Sequence, residues 1–204
     1  MFITFEGLDY SGKTTQAALL VRRLQQLGRE VLLLREPGGT EISEKIRTVL
    51  LDNRNREMSL KAELFLFSAA RTQLVSQVIR PALQRGTIVI CDRFHDSTTA
   101  YQGYGRGLNL DDVHRINAIA TDGTIPDVTL FIDIVPDEIF RRRSLAGQSA
   151  DRMESSGRQF YERARQGFLS LAQMESGRFV VINGMESVEI IHGQIWNAIQ
   201  QRLH

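Results

Sequence analysis

One cysteine in 204 residues excludes an internal disulfide, and the lone thiol at Cys91 suits a reducing, cytoplasmic setting. No apolar run reaches the 18 or more residues of a membrane span. The first such run is interrupted at Glu6 and no basic segment precedes it, so neither a secretory leader nor a membrane partner is expected. Charge of one sign is missing too. A formal net charge of +1 excludes a general polyanion binder, leaves phosphate affinity to local placement of charge, and predicts no nucleic-acid partner. Lysine is scarce, with 3 residues against 22 arginines, a ratio that suits phosphate-gripping guanidinium forks and follows equally from a biased genome. One of those lysines, Lys13, falls in a loop motif. Repeats, low-complexity tracts and linkers are absent, so residues 1–204 read as a single domain able to bury one core.

Five short apolar runs read as buried strands: Phe2–Phe5, Val31–Leu34, Thr87–Cys91, Val128–Ile134 and Phe179–Ile182. Helical spacing fills the intervals. Thr14–Leu27 ends at Gly28, Ile42–Leu51 and Asp111–Ala120 are short, and Ser155–Met174 and Ser187–Leu203 are longer. The longest stretch is Leu60–Leu83, where Pro81 is expected to kink or stop the helix. Strands alternating with helices predict an α/β fold, a parallel sheet covered on both faces, with ligands bound outside the carboxyl ends of the strands.

Gly7-Leu8-Asp9-Tyr10-Ser11-Gly12-Lys13-Thr14 matches G-x-x-x-x-G-K-[ST] in full, between a strand and a helix. Glycines let the backbone curl so that successive N–H groups face phosphate oxygens, and the helix N-terminus adds partial positive charge. Lys13 can reach the β- and γ-phosphates, and the Thr14 hydroxyl can ligate Mg²⁺. The loop makes ATP a ligand without choosing among kinase, GTPase, motor and ATP-driven regulator. No N-K-x-D guanine reader is present, and 204 residues leave little room for motor modules, which favours a small kinase.

Further residues gather at the strand ends. Arg35-Glu36-Pro37-Gly38-Gly39-Thr40 follows the second strand and Asp92-Arg93-Phe94 the third, each bringing an arginine toward a phosphate site. Leu60, Leu64, Phe67, Leu74 and Val78 form an apolar stripe in which Arg71 stands where another apolar residue is due. An unpaired buried charge is costly, so Arg71 faces either a polar ligand, with Phe67 one turn away as an aromatic plate, or a carboxylate partner. His95 lies near these segments and is assigned no role. No Cys/His cluster has metal-ligand spacing.

The ordered set Phe5-Glu6-Gly7-Leu8-Asp9, Arg35–Thr40, Phe67–Arg71, Asp92-Arg93-Phe94, Ala100-Tyr101-Gln102-Gly103 with Gly105-Arg106-Gly107, and Asp151-Arg152-Met153-Glu154 closely resembles the bacterial thymidylate kinases and spans nearly the whole chain. The resemblance implies a P-loop NTPase fold with five strands in the order 2-3-1-4-5, a homodimer, and transfer of the ATP γ-phosphoryl to dTMP with Mg²⁺. Carried over, Gly7–Thr14 holds ATP, Asp9 approaches the sugar 3′-hydroxyl, and Arg35 and Arg93 hold the acceptor phosphate. Phe67 stacks on thymine, Arg71 bonds its carbonyl edge, Tyr101 crowds the 2′ position, and Thr98 and Gln102 line the pocket. Asp92 joins Thr14 near the metal, with Asp133 read as structural. A lid spans about 141–154, and because Tyr10 and Ser11 occupy the loop's variable positions, the catalytic arginine comes from the lid, with Arg143 and Arg152 as candidates. Arg141 and Arg142 read as a solvated helix face. The remaining alternatives are a kinase for another nucleoside monophosphate, which would turn over dTMP and dCMP equally, and a P-loop regulatory ATPase, which would release phosphate without an acceptor.

Overall fold

The computed structural model describes residues 1–147 and 151–203, so the lid expected at 141–154 lies partly outside the described residues. Five parallel strands form one sheet: β1 (Phe2–Glu6), β2 (Val31–Arg35), β3 (Ile88–Asp92), β4 (Val128–Asp133) and β5 (Phe179–Asn183). Their order is β2-β3-β1-β4-β5, as the family resemblance implies. The helices between them are α1 (Lys13–Gln26), α2 (Glu41–Leu51), α3 (Leu60–Leu74), α4 (Arg80–Gln84), α5 (His95–Thr98), α6 (Leu110–Thr121), α7 (Pro136–Ala146), α8 (Arg158–Met174) and α9 (Val188–Gln200).

Strand alternation explains the two buried faces. On β1, Ile3 and Phe5 point to one side, where Leu20 and Leu24 of α1 and Ile191, Ile195 and Ile199 of α9 complete an aliphatic layer. Phe2 points to the other side, against Leu74, Val89 and Phe94. Farther along that side Phe131 stacks on Phe168 at 5.0 Å, beside Tyr161 and Tyr101. The register sets the strand ends level. Asp92 lies opposite Phe5 on one side and Arg35 on the other, so an acid and then a base stand in line beside the strand that feeds the phosphate loop.

Two expectations about the helices change. The helix from Leu60 does not stop or break at Pro81. It widens into a π-helical segment, Val75–Ile79, and continues as α4 with the proline in its first turn. Arg80 N–H reaches back to the Val75 carbonyl, five residues away, and this wider turn takes the proline ring off the carbonyl one turn earlier. A second π-helical segment, Thr99–Gly105, extends α5 and has no periodic signature in the sequence. Helix α7 carries the helix face expected at Arg141 and Arg142, and its start, which was not expected, is signalled by Pro136 followed by Asp137 and Glu138.

Candidate active site

The loop after β1 is shaped by backbone conformations that few residues adopt. Gly7 has φ 139° and lies so close to the Ile132 carbonyl that a Cβ would sit 2.5 Å from it. Gly12 caps α1 in the left-handed region, and no side-chain oxygen caps that helix, so its first amides point into the loop. Tyr10 and Arg93 adopt positive φ without being glycine, at 61° and 72°. Strained backbone of this kind persists where surrounding contacts over-determine it. Both residues have such contacts.

Lys13 is 6% exposed and folds over its own loop, donating to the Leu8 carbonyl at 2.7 Å and to Ser11 Oγ at 3.4 Å. Burial, with Arg93 adding repulsion, lowers its pKa to about 8. Below that value the ammonium can meet phosphate oxygens, and above it the neutral amine cannot. The kcat/KM for ATP, which reports the free enzyme, should therefore fall as pH rises through about 8. A profile flat to pH 10 would contradict this placement of Lys13.

Beside the loop, Thr14 Oγ1 donates to Asp92 Oδ2 at 2.6 Å, which brings a hydroxyl and a carboxylate together at the end of β3. Hard oxygen donors of this kind suit Mg²⁺ carried in on nucleotide phosphates, which asks little of the protein's own ligands. Arg93 leaves the same strand end and donates to the Gly7 carbonyl at 2.8 Å, to Ser97 Oγ at 3.1 Å and to Asp9 Oδ1 at 2.5 Å. Burial opposes its charge, but Tyr101, Asp9, Asp92 and Glu6 around it outweigh burial and its pKa is raised. Asp9 also accepts from Tyr161 Oη at 3.2 Å. Glu6, buried behind Arg93, accepts from Phe94 N–H and Ser97 Oγ. Burial, and then Asp96, push its pKa up to about 8.

A cleft of about 230 Å³ opens in front of these groups. Its walls bring together Asp9, Thr14, Arg35, Phe67, Arg71, Asp92, Arg93, Thr98, Tyr101 and Gln102, ten residues expected from the sequence. Arg71 is 2% exposed, and its charge is matched within the fold: Glu36 lies at 2.7 Å, itself 6% exposed. Its other N–H groups reach Thr98 Oγ1 at 2.9 Å, the Phe94 carbonyl at 3.1 Å and Asn117 Oδ1 at 3.4 Å. The two readings of Arg71 thus combine, because the residue is paired with a carboxylate and still borders the cleft. Arg35 is half-exposed, held by Glu44 and the Pro37 carbonyl.

The lid arginines are not brought into the cleft. Arg143 donates to the Glu154 carbonyl at 2.8 Å and lies over the Phe140 ring. Arg152 turns inward, to the Leu50 carbonyl at 2.7 Å and to buried Glu63 at 2.6 Å. Arg142 corrects the reading of a solvated face, since it donates to the Tyr10 carbonyl at 3.1 Å and the Gly184 carbonyl at 3.0 Å and so ties α7 to the phosphate loop. Arg141, paired with Glu138, is exposed as expected. Asp133 forms a two-point pair with Arg165, and His95 lines a separate small cavity.

Several cleft residues were not anticipated as site residues. Glu36, Asp151 and Glu154 belong to segments already singled out, but which of their side chains would face inward could not be read. Arg47 lies on α2 four residues after buried Ser43 and donates to the Pro37 carbonyl at 2.9 Å. A charge on the inner stripe of that helix is the same signal that revealed Arg71.

The sheet, the lysine loop at the end of its central strand and a second polar cleft beside that loop define a P-loop phosphotransferase of the mononucleotide kinase kind. Residues 5–195 match the family model described as thymidylate kinase. The chain is 49% identical over 210 residues to a thymidylate kinase of Chlorobium luteolum, covering 99% of this chain and 98% of the relative. Likewise it is 45% identical over 202 residues to one of Caldanaerobacter subterraneus subsp. tengcongensis, with 99% and 96% covered. The crystal structure of thymidylate kinase from Ehrlichia chaffeensis superposes with a TM-score of 0.80 at 36% identity, covering 98% of each chain. This chain belongs to the thymidylate kinase family.

Proposed function

We propose that this chain, as a single domain over residues 1–204, transfers the γ-phosphoryl group of ATP directly to the 5′-phosphate of dTMP, giving dTDP for nucleotide biosynthesis. The observation that carries the reading is the shared wall of loop and cleft, where Arg93 touches both the Gly7 carbonyl and Tyr101. A donor nucleotide on the loop and an acceptor in the cleft then meet across one guanidinium. Catalysis of this kind rests on positioning and on charge placed where the transferring group passes.

Residues Gly7 to Thr14 bind the ATP phosphates through backbone amides and Lys13. Thr14 and Asp92 would hold Mg²⁺, which when bound neutralises phosphate charge. Arg35 and Arg93 bind the acceptor phosphate, and Asp9 meets the sugar hydroxyl. Tyr101, held by Arg93 at 3.3 Å, fills the space a 2′-hydroxyl would need. Phe67 stacks on the base. A thymine carbonyl reaches Arg71 by displacing its longest bond, the one to Asn117 at 3.4 Å. Of the lid candidates, Arg143 is free to turn toward the transferring phosphoryl, because its acceptor is a neutral carbonyl. Arg152 anchors the lid base through Glu63.

Phe67→Ala should raise the dTMP dissociation constant about tenfold to a hundredfold, the worth of one base–aromatic stack, with ATP binding unchanged. An unchanged dTMP constant, read by calorimetry, would remove the stacking role. The reaction itself is tested with ATP, Mg²⁺ and a panel of nucleoside monophosphates. The expected result is dTDP from dTMP well ahead of the other products, whereas equal turnover of dCMP would remove the thymine assignment.

A homodimer belongs to the same proposal. Exposed Ile42 and Val49 on α2, Phe65 on α3 and Ile119 on α6 lie on three adjacent helices and offer an apolar face for a second copy. The single thiol, Cys91, is free and buried, in keeping with a cytoplasmic setting.

A further inference from the structure

Glu63 lies outside the reacting groups, and no expectation from the sequence gave it a role. It stands in the first turn of α3, is 1% exposed, and collects donors from three residues in two separate segments. Gln102 Nε2 donates to its Oε1 at 3.0 Å, Arg106 reaches both oxygens at 3.2 and 3.3 Å, and Arg152 Nη1 reaches Oε2 at 2.6 Å. Burial raises the carboxyl, but the bonds from Gln102, Arg106 and Arg152 outweigh it, so the group is held ionised below its ordinary value.

An ionised carboxylate only accepts hydrogen bonds. The Gln102 side chain can therefore present only its NH₂ end to Glu63, since its carbonyl would face two negative oxygens. Chemistry alone fixes the rotation of the amide. The Gln102 carbonyl must then point away from Glu63. Among the described residues, the sealed side-chain atoms without a partner are Gln16 Oε1, Glu36 Oε1, His95 Nε2 and His192 Nδ1. The Gln102 carbonyl is not one of them. Among the described residues no donor reaches Gln102 Oε1 either, and Gln102 borders the cleft, which leaves this oxygen as the acceptor on the cleft wall.

Thymine carries an N–H donor at N3 beside its O4 acceptor, while cytosine carries an acceptor at N3 beside an amino donor. An open carbonyl at Gln102 and a cation at Arg71 complement the first pattern and oppose the second. We propose that Glu63 is a positioning residue for base specificity: by holding the Gln102 amide in one rotation it makes the cleft accept a base with N3–H and reject one without it. The inference rests on the thymidylate reading above and adds a residue that touches no substrate.

Sites built to pair a substrate N–H reject analogues that lack it, because the site's own group is left unpaired. In Glu63→Gln the neutral amide can meet either end of Gln102. The ratio of kcat/KM for dTMP over dCMP should then fall about tenfold to a hundredfold. The fall should come mainly from KM, rising for dTMP and dropping for dCMP, with kcat for dTMP nearly kept. Because Glu63→Gln also leaves two half-buried arginines short of charge, at a cost to folding, Glu63→Asp provides a second variant. It keeps the charge but withdraws it from Gln102 by one methylene, and it should lower the ratio to an intermediate value. Arg106→Gln weakens the same cluster without touching the amide contact, and it should leave the ratio alone even where stability drops.

A wild-type preference for dTMP that survives in the folded Glu63 variants, or that falls equally in Arg106→Gln, overturns the inference while leaving the thymidylate reading intact. A wild-type chain that turns over dCMP as readily as dTMP removes the thymidylate reading, and the inference with it.

Discussion

Replacing Lys13 by alanine should lower kcat about a thousandfold or more while the melting temperature holds or rises. The first half follows from where the ammonium sits. It is the only cation on the phosphate loop itself, and preorganised donors at developing charge are worth roughly a hundredfold to a thousandfold each when hydrogen-bonded. A full charge placed between the transferring groups belongs at the upper end. The second half follows from burial. With 6% exposure and a pKa lowered to about 8, the ammonium is held in the fold against its own solvation. Its bonds to the Leu8 carbonyl and Ser11 Oγ return only part of that loss. Removing it sacrifices function and relieves strain, the usual trade at an active site. Turnover within tenfold of wild type, measured with saturating ATP, would show that Lys13 is not the phosphate lysine.

Glu36→Ala should have the largest effect on stability, about 3–5 kcal/mol, because it strands the Arg71 guanidinium in the protein interior. Among the described residues only Glu36 balances that charge directly, at 2.7 Å and with both side chains nearly sealed. For a chain of this length the loss corresponds to a fall in melting temperature of roughly 10 °C. Thr98, Asn117 and the Phe94 carbonyl would continue to accept from Arg71, but neutral acceptors do not discharge a cation. Replacing both Glu36 and Arg71 with apolar residues should restore much of the stability and none of the dTMP affinity. That separation marks Arg71 as both a packed ion and a ligand-facing one. Equal melting temperatures for wild type and Glu36→Ala would contradict the buried pair.

The fold was legible almost throughout because its signals are local. Each of the five apolar runs became a strand within a residue or two of its expected ends, and the lysine loop fixed which strand feeds the phosphate site. Arg71 was visible as a charge in an apolar stripe. Its partner Glu36 was not, since the two are 35 residues apart, one on α3 and the other just past the end of β2. The Glu63 cluster was hidden for the same reason. Gln102 and Arg106 reach it from a π-helical segment and its exit, whose spacing obeys neither helix nor strand periodicity. At Pro81 the local rule named the clash but not the way around it, because a widened turn before the proline lets the helix run on. The lid is the least legible element. Its arginines are placed by distant carbonyls and carboxylates such as Gly184 and Glu63, and a sequence pattern carries no information about those partners.

The measurement that tests the account most directly is a single-turnover reaction with ATP labelled on the γ-phosphate, Mg²⁺ and unlabelled dTMP. Direct transfer across Arg93 predicts that the label appears in the β-phosphate of dTDP, with no labelled enzyme on the way and little label in inorganic phosphate. Label released as inorganic phosphate at the same rate with or without dTMP would mean that the loop hydrolyses ATP and that the cleft beside it is not an acceptor site.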